Sequence, residues 1–333
     1  MKKIFSNNQQ YASSPWLQAV SKKNHIPSFT QWACSLLLTT CSLPTFAQQD
    51  PLYAQYINNP LIINPAYTGY TNNFAASLSY REQWVGLEGG PQTINFNSQI
   101  SLSDNRMGAG LIVFSDKIGN TKYNQFSATY AYRIAVSDKQ TLSFGLQGGF
   151  ANYQVDNASG NVNPYDADDP LFEGSISESS PTFGTGLILS SDRYFIGLSV
   201  PNLLKSTFEN QGVQATIYNQ HFYTLGSYLF FIGERVRLRP SVLVKLVSGA
   251  PASVDLNVAF IFYENYQVGL LTRDFNTYGL FGQMIVSDTF RFGFVFEVPT
   301  SASVGSNYTT FELTAGIRFN ALSFHQNKSL TSF

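Results

Sequence analysis

The chain has 333 residues, of which 12% are charged and 15% aromatic, with formal net charge −1. A typical soluble domain carries roughly 25% charge, so the composition argues against an ordinary water-bathed globule, and the absence of a basic excess excludes nucleic-acid binding. With no run of about 20 apolar residues, a transmembrane helix is excluded too, leaving the balance expected of a β-barrel whose outer wall faces lipid.

Residues 1–47 read as a cleaved leader. Lys2, Lys3, Lys22 and Lys23 precede an apolar core, "WACSLLLTTCSLP", and no acidic residue occurs before the small-x-small exit "TFA", which places cleavage after Ala47. A lipoprotein reading through "LTTC", with Cys41 modified, is the alternative. Removing the leader leaves 286 residues with 16 basic and 21 acidic side chains, a net charge of −5. Both cysteines, Cys34 and Cys41, leave with it, so the exported part has neither a disulfide framework nor thiolate chemistry.

The next stretch, "NNPLIINPAYTGY" (58–70), can neither continue a helix nor sit centrally in a sheet, because proline fixes φ and lacks an N–H. Residues 48–73 are therefore expected to be irregular, folded into or across a barrel mouth, with Tyr56 and Tyr67 as packing anchors and Gly69 allowing the turn into the first strand. The alternative is a barrel-closing element without a partner. Residues 74–320 are predicted to form the barrel. In "NQFSATYAYRI", Phe126, Ala128, Tyr130, Tyr132 and Ile134 share one face, while Gln125, Ser127, Thr129 and Arg133 share the other. The same alternation recurs in "TLSFGLQGGF", "SVDLNVAFIF", "TFRFGFVFEV" and "TFELTAGIRF". Segments of about ten residues suit tilted membrane-crossing strands, and about fourteen of them can be counted, an even number as single-chain bacterial barrels require.

Tyr80, Tyr123, Tyr153, Tyr194, Tyr263 and Tyr266 fall at segment ends, where girdles at the two water interfaces are expected. The Asp/Asn/Ser/Gly/Pro-rich stretch 156–181 reads as a long outer loop. Its cluster Asp166, Asp168, Asp169 and Glu173 is a solvated acidic loop or, alternatively, a calcium site without EF-hand spacing. The stretch from Pro201 to Gln220 is read as a second loop. Residues 321–333 form a tail.

Catalytic constellations are almost missing. The mature chain holds only His221 and His325, and no nucleophile elbow, phosphate loop or Cys-His pair, so no enzyme, cofactor or metal function is read. The charges predicted on the inner face are more informative: Arg133, Arg237, Arg239, Lys245, Asp255, Arg291, Glu297, Glu312 and Arg318. Mixed signs fit a salt-bridged filling or narrow pore as well as an open channel.

Two blocks near the start resemble the PorP/SprF family of outer-membrane proteins. They comprise Asp50, Pro51, Tyr56, Asn59, Asn64, Pro65, Ala66 and Gly69, then Arg81, Gln83, Trp84, Val85, Gly86, Gly89 or Gly90, and Pro91. Later stretches, "VPNLL", "HFYTLGSYLF" and "RFGFVFEV", continue the likeness, while "GSNYTTFEL" keeps Gly305 and Ser306 but lacks the family's histidine. The resemblance implies a multi-pass outer-membrane barrel of the type IX secretion and gliding system. It would be a receptor or anchor for export or surface attachment of a large partner with a type IX C-terminal sorting domain, such as a gliding adhesin. Periplasmic secretion-machine lipoproteins or a peptidoglycan-binding protein are further implied partners. The reading from another class is a passive porin or solute transporter.

Overall fold

A computed structural model of the chain describes residues 54–156, 175–204, 206–210, 213–218, 220–248, 250–300 and 307–326. The leader, Asp50 and Pro51, the acidic cluster Asp166, Asp168, Asp169 and Glu173, Gly305 and Ser306, and the tail beyond residue 326 lie outside the described residues.

The alternating segments are strands. In chain order they are β1 (Phe74–Glu82), β2 (Gln92–Leu102), β3 (Met107–Ile118), β4 (Thr121–Ser137), β5 (Gln140–Asp156), β6 (Ser175–Ser191), β7 (Tyr194–Val200), β8 (Ser206–Asn210) and β9 (Val213–Tyr218). There follow β10 (His221–Tyr228), β11 (Phe230–Phe231), β12 (Val236–Val247), β13 (Ser253–Phe262), β14 (Tyr266–Arg273), β15 (Thr277–Ile285), β16 (Phe290–Pro299) and β17 (Thr310–Phe319). All pairings are antiparallel. β11 continues β10 along β12 in the same register, Ser227 opposite Ser241 and Phe230 opposite Leu238. With those two counted as one, fourteen strands form the sheet, and the β1–β17 and β10–β12 pairings close it into a ring. Closure pairs the ladder groups of both seam strands, which hydrocarbon requires. β8 and β9 make a separate hairpin inside the stretch after Pro201, where the sequence alone suggests a plain loop. Its signal is weak because the two runs are only five and six residues long, with Gln211 and Gly212 between them.

An even strand number puts both ends of the sheet on one rim. The turns at that rim (103–106, 138–139, 192–193, 232–235, 263–265 and 286–289) are short, whereas the opposite rim carries the long connections 83–91, 157–174, 201–220 and 300–309.

Burial is inverted relative to a soluble protein. Phe150 and Leu270 are 69% and 70% exposed, whereas Ser127 and Glu312 are fully buried. An apolar band of this extent on a water-bathed surface would drive aggregation, so the outer wall is the one that lipid covers. Tyr80 and Tyr266 point outward near opposite rims. Tyr123 and Tyr153 do not serve as girdle residues: they face each other across β4 and β5 on the inner face, where the Tyr123 hydroxyl donates to Gln125 (3.1 Å). Strand parity, which assigns them to the polar face, overrides their position near a strand end.

Candidate functional site

The apolar core of the molecule lies inside the ring. A large part of it comes from residues 54–73, where Ala54, Tyr56, Ile57, Ile63, Ala66 and Tyr70 pack against Ile188, Phe195, Leu225, Leu243, Phe281 and Val295 of the wall. The segment makes three 3-10 turns, Gln55–Ile57, Pro60–Ile62 and Pro65–Tyr67. Proline opens the second and third, as its preset φ and missing N–H favour. Asn64 caps the third: its Oδ1 accepts the Ala66 N–H (2.9 Å), and its Nδ2 donates to the carbonyls of Leu187 (3.1 Å) and Leu198 (3.2 Å).

Irregular backbone is tolerated at membrane depth only where protein or water satisfies it, and here the wall does so strand by strand. Glu312 accepts the Ala54 N–H (3.1 Å), and Gln99 accepts that of Gly69 (2.7 Å). Ser199, Ser143 and Arg133 donate to the carbonyls of Ile63, Ala66 and Thr68, each at 2.7 Å. Asn59 donates to Ser77 (3.1 Å) and Asn97 (2.9 Å), and Asn58 accepts from Gln267 (2.9 Å) and Arg239 (3.3 Å). Close approach needs wall positions without side chains. A Cβ on Gly145 would fall onto the Pro65–Ala66 backbone, one on Gly186 onto the Asn64 side chain, and one on Gly108 onto the Thr68 carbonyl. Gly69 itself sits at φ +71° against Gly108, a conformation and a distance that only glycine accommodates.

Three tyrosines anchor the segment. Asn257 donates to the Tyr56 hydroxyl (2.7 Å), which in turn faces Asp255 (3.4 Å). Tyr70 donates to Ser190 and stacks on Tyr67 with ring centroids 5.1 Å apart. Burial, reinforced by the Asp255 charge, raises the Tyr56 pKa well above its ordinary value. Tyr67 is raised by burial against the opposing charges of Arg291 and Arg239. Tyr70 is pushed up to about 12, again by burial, with the Ser190 hydrogen bond acting the other way.

Above Tyr56, toward the long-loop rim, lies a buried ion-pair network. Arg81 reaches Glu297 (2.5 Å) and Glu312 (3.3 Å), and Arg273 reaches Asp255 (3.0 Å) and Glu297 (3.6 Å). Five charges from β1, β13, β14, β16 and β17 thus meet on one side of the lumen. Lys245 is buried on the same face of β12. Arg133 sits low in the wall, also donating to Asn105 (2.7 Å) and Met107 (2.7 Å) carbonyls, and Arg318 donates to the Asp288 carbonyl (3.1 Å) at the short-turn rim. Arg237 stands away from these, stacked over Phe231 at 4.5 Å. The second block shapes the first long connection: Gln83 N–H bonds the Pro91 carbonyl (2.9 Å), Trp84 sits at φ +54° with its N–H on Thr310 (3.3 Å), and Gly86 and Gly89 take φ +91° and +76°.

Sequence reasoning passed over Arg273, Gln99, Ser143, Ser199 and the wall glycines. The signal was present: Gly145 and Ser143 share a face in β5, as do Gly269 and Arg273 in β14. Polar positions on an inner face, however, look alike until a second chain segment is laid against them. At the short-turn mouth the tail also turns back. His325 is buried, accepts from the N–H groups of Ala321 (3.1 Å) and Leu322 (3.2 Å), and bonds the Ser101 carbonyl (2.8 Å), while Gln326 N–H reaches Asn72 (3.1 Å). Among the described residues no group of His, Cys, Asp and Glu is arranged to hold a metal ion.

A profile of the family described as "Type IX secretion system membrane protein PorP/SprF" matches residues 45–317. The chain belongs to the PorP/SprF family. The match spans the lumen segment and the ring as far as Ile317, and the His325 turn lies beyond it. Among curated proteins none matches the chain in sequence. Solved structures similar to this PorP/SprF barrel include the Acinetobacter baumannii outer membrane protein Omp33, at 8% identity and TM-score 0.45 over 76% of this chain and 100% of that one. A Pseudomonas aeruginosa FadL homologue aligns at 11% identity and TM-score 0.47 over 84% and 96%.

Proposed function

We propose that this PorP/SprF barrel is a closed receptor or anchor of type IX secretion, in which residues 54–73 act as a built-in plug. Its cargo would be a large secreted partner carrying a type IX sorting domain, such as a gliding adhesin, held at the long-loop rim. The leader would be cleaved after Ala47 for export to the outer membrane, with the short-turn rim facing the periplasm and its lipoproteins or peptidoglycan-binding protein. The observation that carries this reading is the plug's attachment: wall donors and acceptors on strands from β1 to β17 hold it throughout its length, and wall glycines are cut to its backbone. A lumen filled this way is a poor solute path. The outer wall faces lipid, so a macromolecular partner is left with the rims. There the 17-residue strands β4, β5 and β6 span about 40 Å along the membrane normal at the usual rise and tilt, beyond the roughly 30 Å of hydrocarbon.

The test is purification in mild detergent with identification of co-eluting proteins, alongside planar-bilayer recording. The anchor reading expects one specific co-eluting exported protein and little conductance, rising when residues 54–69 are deleted. Large ion-selective conductance from the intact chain, with no protein companion, would favour the porin instead.

A further inference from the structure

The lumen is electrically divided. By strand direction, the inward carboxylates Asp116, Asp255, Glu297 and Glu312 lie in the long-loop half, whereas the charged inward positions of the short-turn half are Arg133, Arg239, Arg291 and Arg318. Arg133, Arg239 and Arg318 each donate to a neighbouring oxygen. The Arg291 guanidinium makes no hydrogen bond or ion pair among the described residues. Beside it is a cavity of about 20 Å³ between plug and wall, lined by Asn58, Asn59, Ser77, Gln283, Arg291 and Thr314. Two of these add unpartnered polar atoms. Gln283 is 92% buried, and neither its Oε1 nor the buried Thr314 hydroxyl has a hydrogen-bond partner among the described residues. Two unmet buried groups beside a partly buried guanidinium on one small space call for an occupant, since each buried polar group without a partner costs about 1–3 kcal/mol.

We propose that this cavity binds a halide-sized anion, which clips the plug at Asn58 and Asn59 to β15, β16 and β17. Size admits only a single small species: roughly 10–15 Å³ of such space is the minimum for one water. Charge then chooses between water and anion, because Arg291 has no carboxylate ion-paired to it among the described residues and the other charged inward positions of its half are arginines. Arg291 and the Thr314 hydroxyl donate directly, and turning the Gln283 amide end for end supplies an N–H in place of the unmatched oxygen.

The test is bromide diffusion into crystals of the full-length protein, read by anomalous scattering, together with thermal unfolding in chloride and in gluconate at equal ionic strength. The expected result is one bromide peak bracketed by Arg291, Gln283 and Thr314, lost in Arg291→Gln and weakened in Thr314→Val. A higher midpoint in chloride than in gluconate is expected for the native chain and not for Arg291→Gln. Water alone at this position in the native protein, or a chloride effect unchanged by Arg291→Gln, overturns the proposal. Thr314→Val keeps the fold and the guanidinium, so its bromide peak decides the matter if Arg291→Gln does not assemble.

Discussion

At Gly145 the wall presents a single hydrogen to the Pro65–Ala66 backbone, and that contact can be tested by filling it. Gly145→Val adds a branched side chain at a strand position that favours it, so the sheet should form while the plug is displaced. The expected outcome in planar bilayers is a several-fold rise in conductance over the native chain. Arg81 offers the opposite probe. It is 2% exposed and bridges Glu297 and Glu312, so Arg81→Met leaves two buried carboxylates facing one another. Breaking a buried pair from one side costs roughly 3–5 kcal/mol, a loss to be read as a lower urea midpoint for the gel-mobility shift of the folded barrel. Tyr70 predicts an alkaline limit. Its pKa is raised to about 12 in the folded state against an ordinary value near 10, so the folded form holds the proton more tightly. The stability this confers is intact below pH 10 and falls by about 2–3 kcal/mol as pH rises to 12. Tyrosinate absorbance should therefore lag behind that of the unfolded chain across this window, and Tyr70→Phe should narrow the lag.

Strands and the lumen segment differ in how openly the sequence declares them. Alternation such as Phe126/Ser127/Ala128/Thr129 reports both the strand and which face meets lipid, because a period of two leaves no freedom once one side must be apolar. The register of β13 follows the same rule, and a residue inserted after Val258 would send Asn257 and Asp255 to one face and Ala259 and Ile261 to the wrong one. Such an insertion is expected to abolish the folded band on unheated gels, whereas the same insertion in the 201–220 connection should be tolerated. The prolines of residues 58–70 likewise declare an irregular stretch. Its partners were not legible: Gln99, Ser143 and Ser199 look like ordinary inner-face polar residues, and their meaning arises only from the backbone atoms they meet. Arg273 was hidden for a similar reason, since nothing local to β14 reveals that Asp255 and Glu297 flank it. The β8–β9 hairpin is harder to read because its runs are only five and six residues long, although Val213, Ala215 and Ile217 do alternate with Gln214 and Thr216.

For the whole molecule, the inverted burial demands an amphiphile. The purified chain should remain folded and monodisperse in detergent or lipid and precipitate when either is withdrawn, as followed by light scattering. The ring closes where β1 meets β17, the earliest and latest strands of the sheet to be synthesised, and it closes around residues that precede both. The contents are therefore delivered before the container. Hydrogen bonds from the Pro- and Asn-rich stretch reach ten strands of the ring, so the two are fitted to one another around most of the circumference. A ring that shut without the first twenty described residues would be an empty vessel, its inner polar side chains stripped of the backbone they are cut to meet.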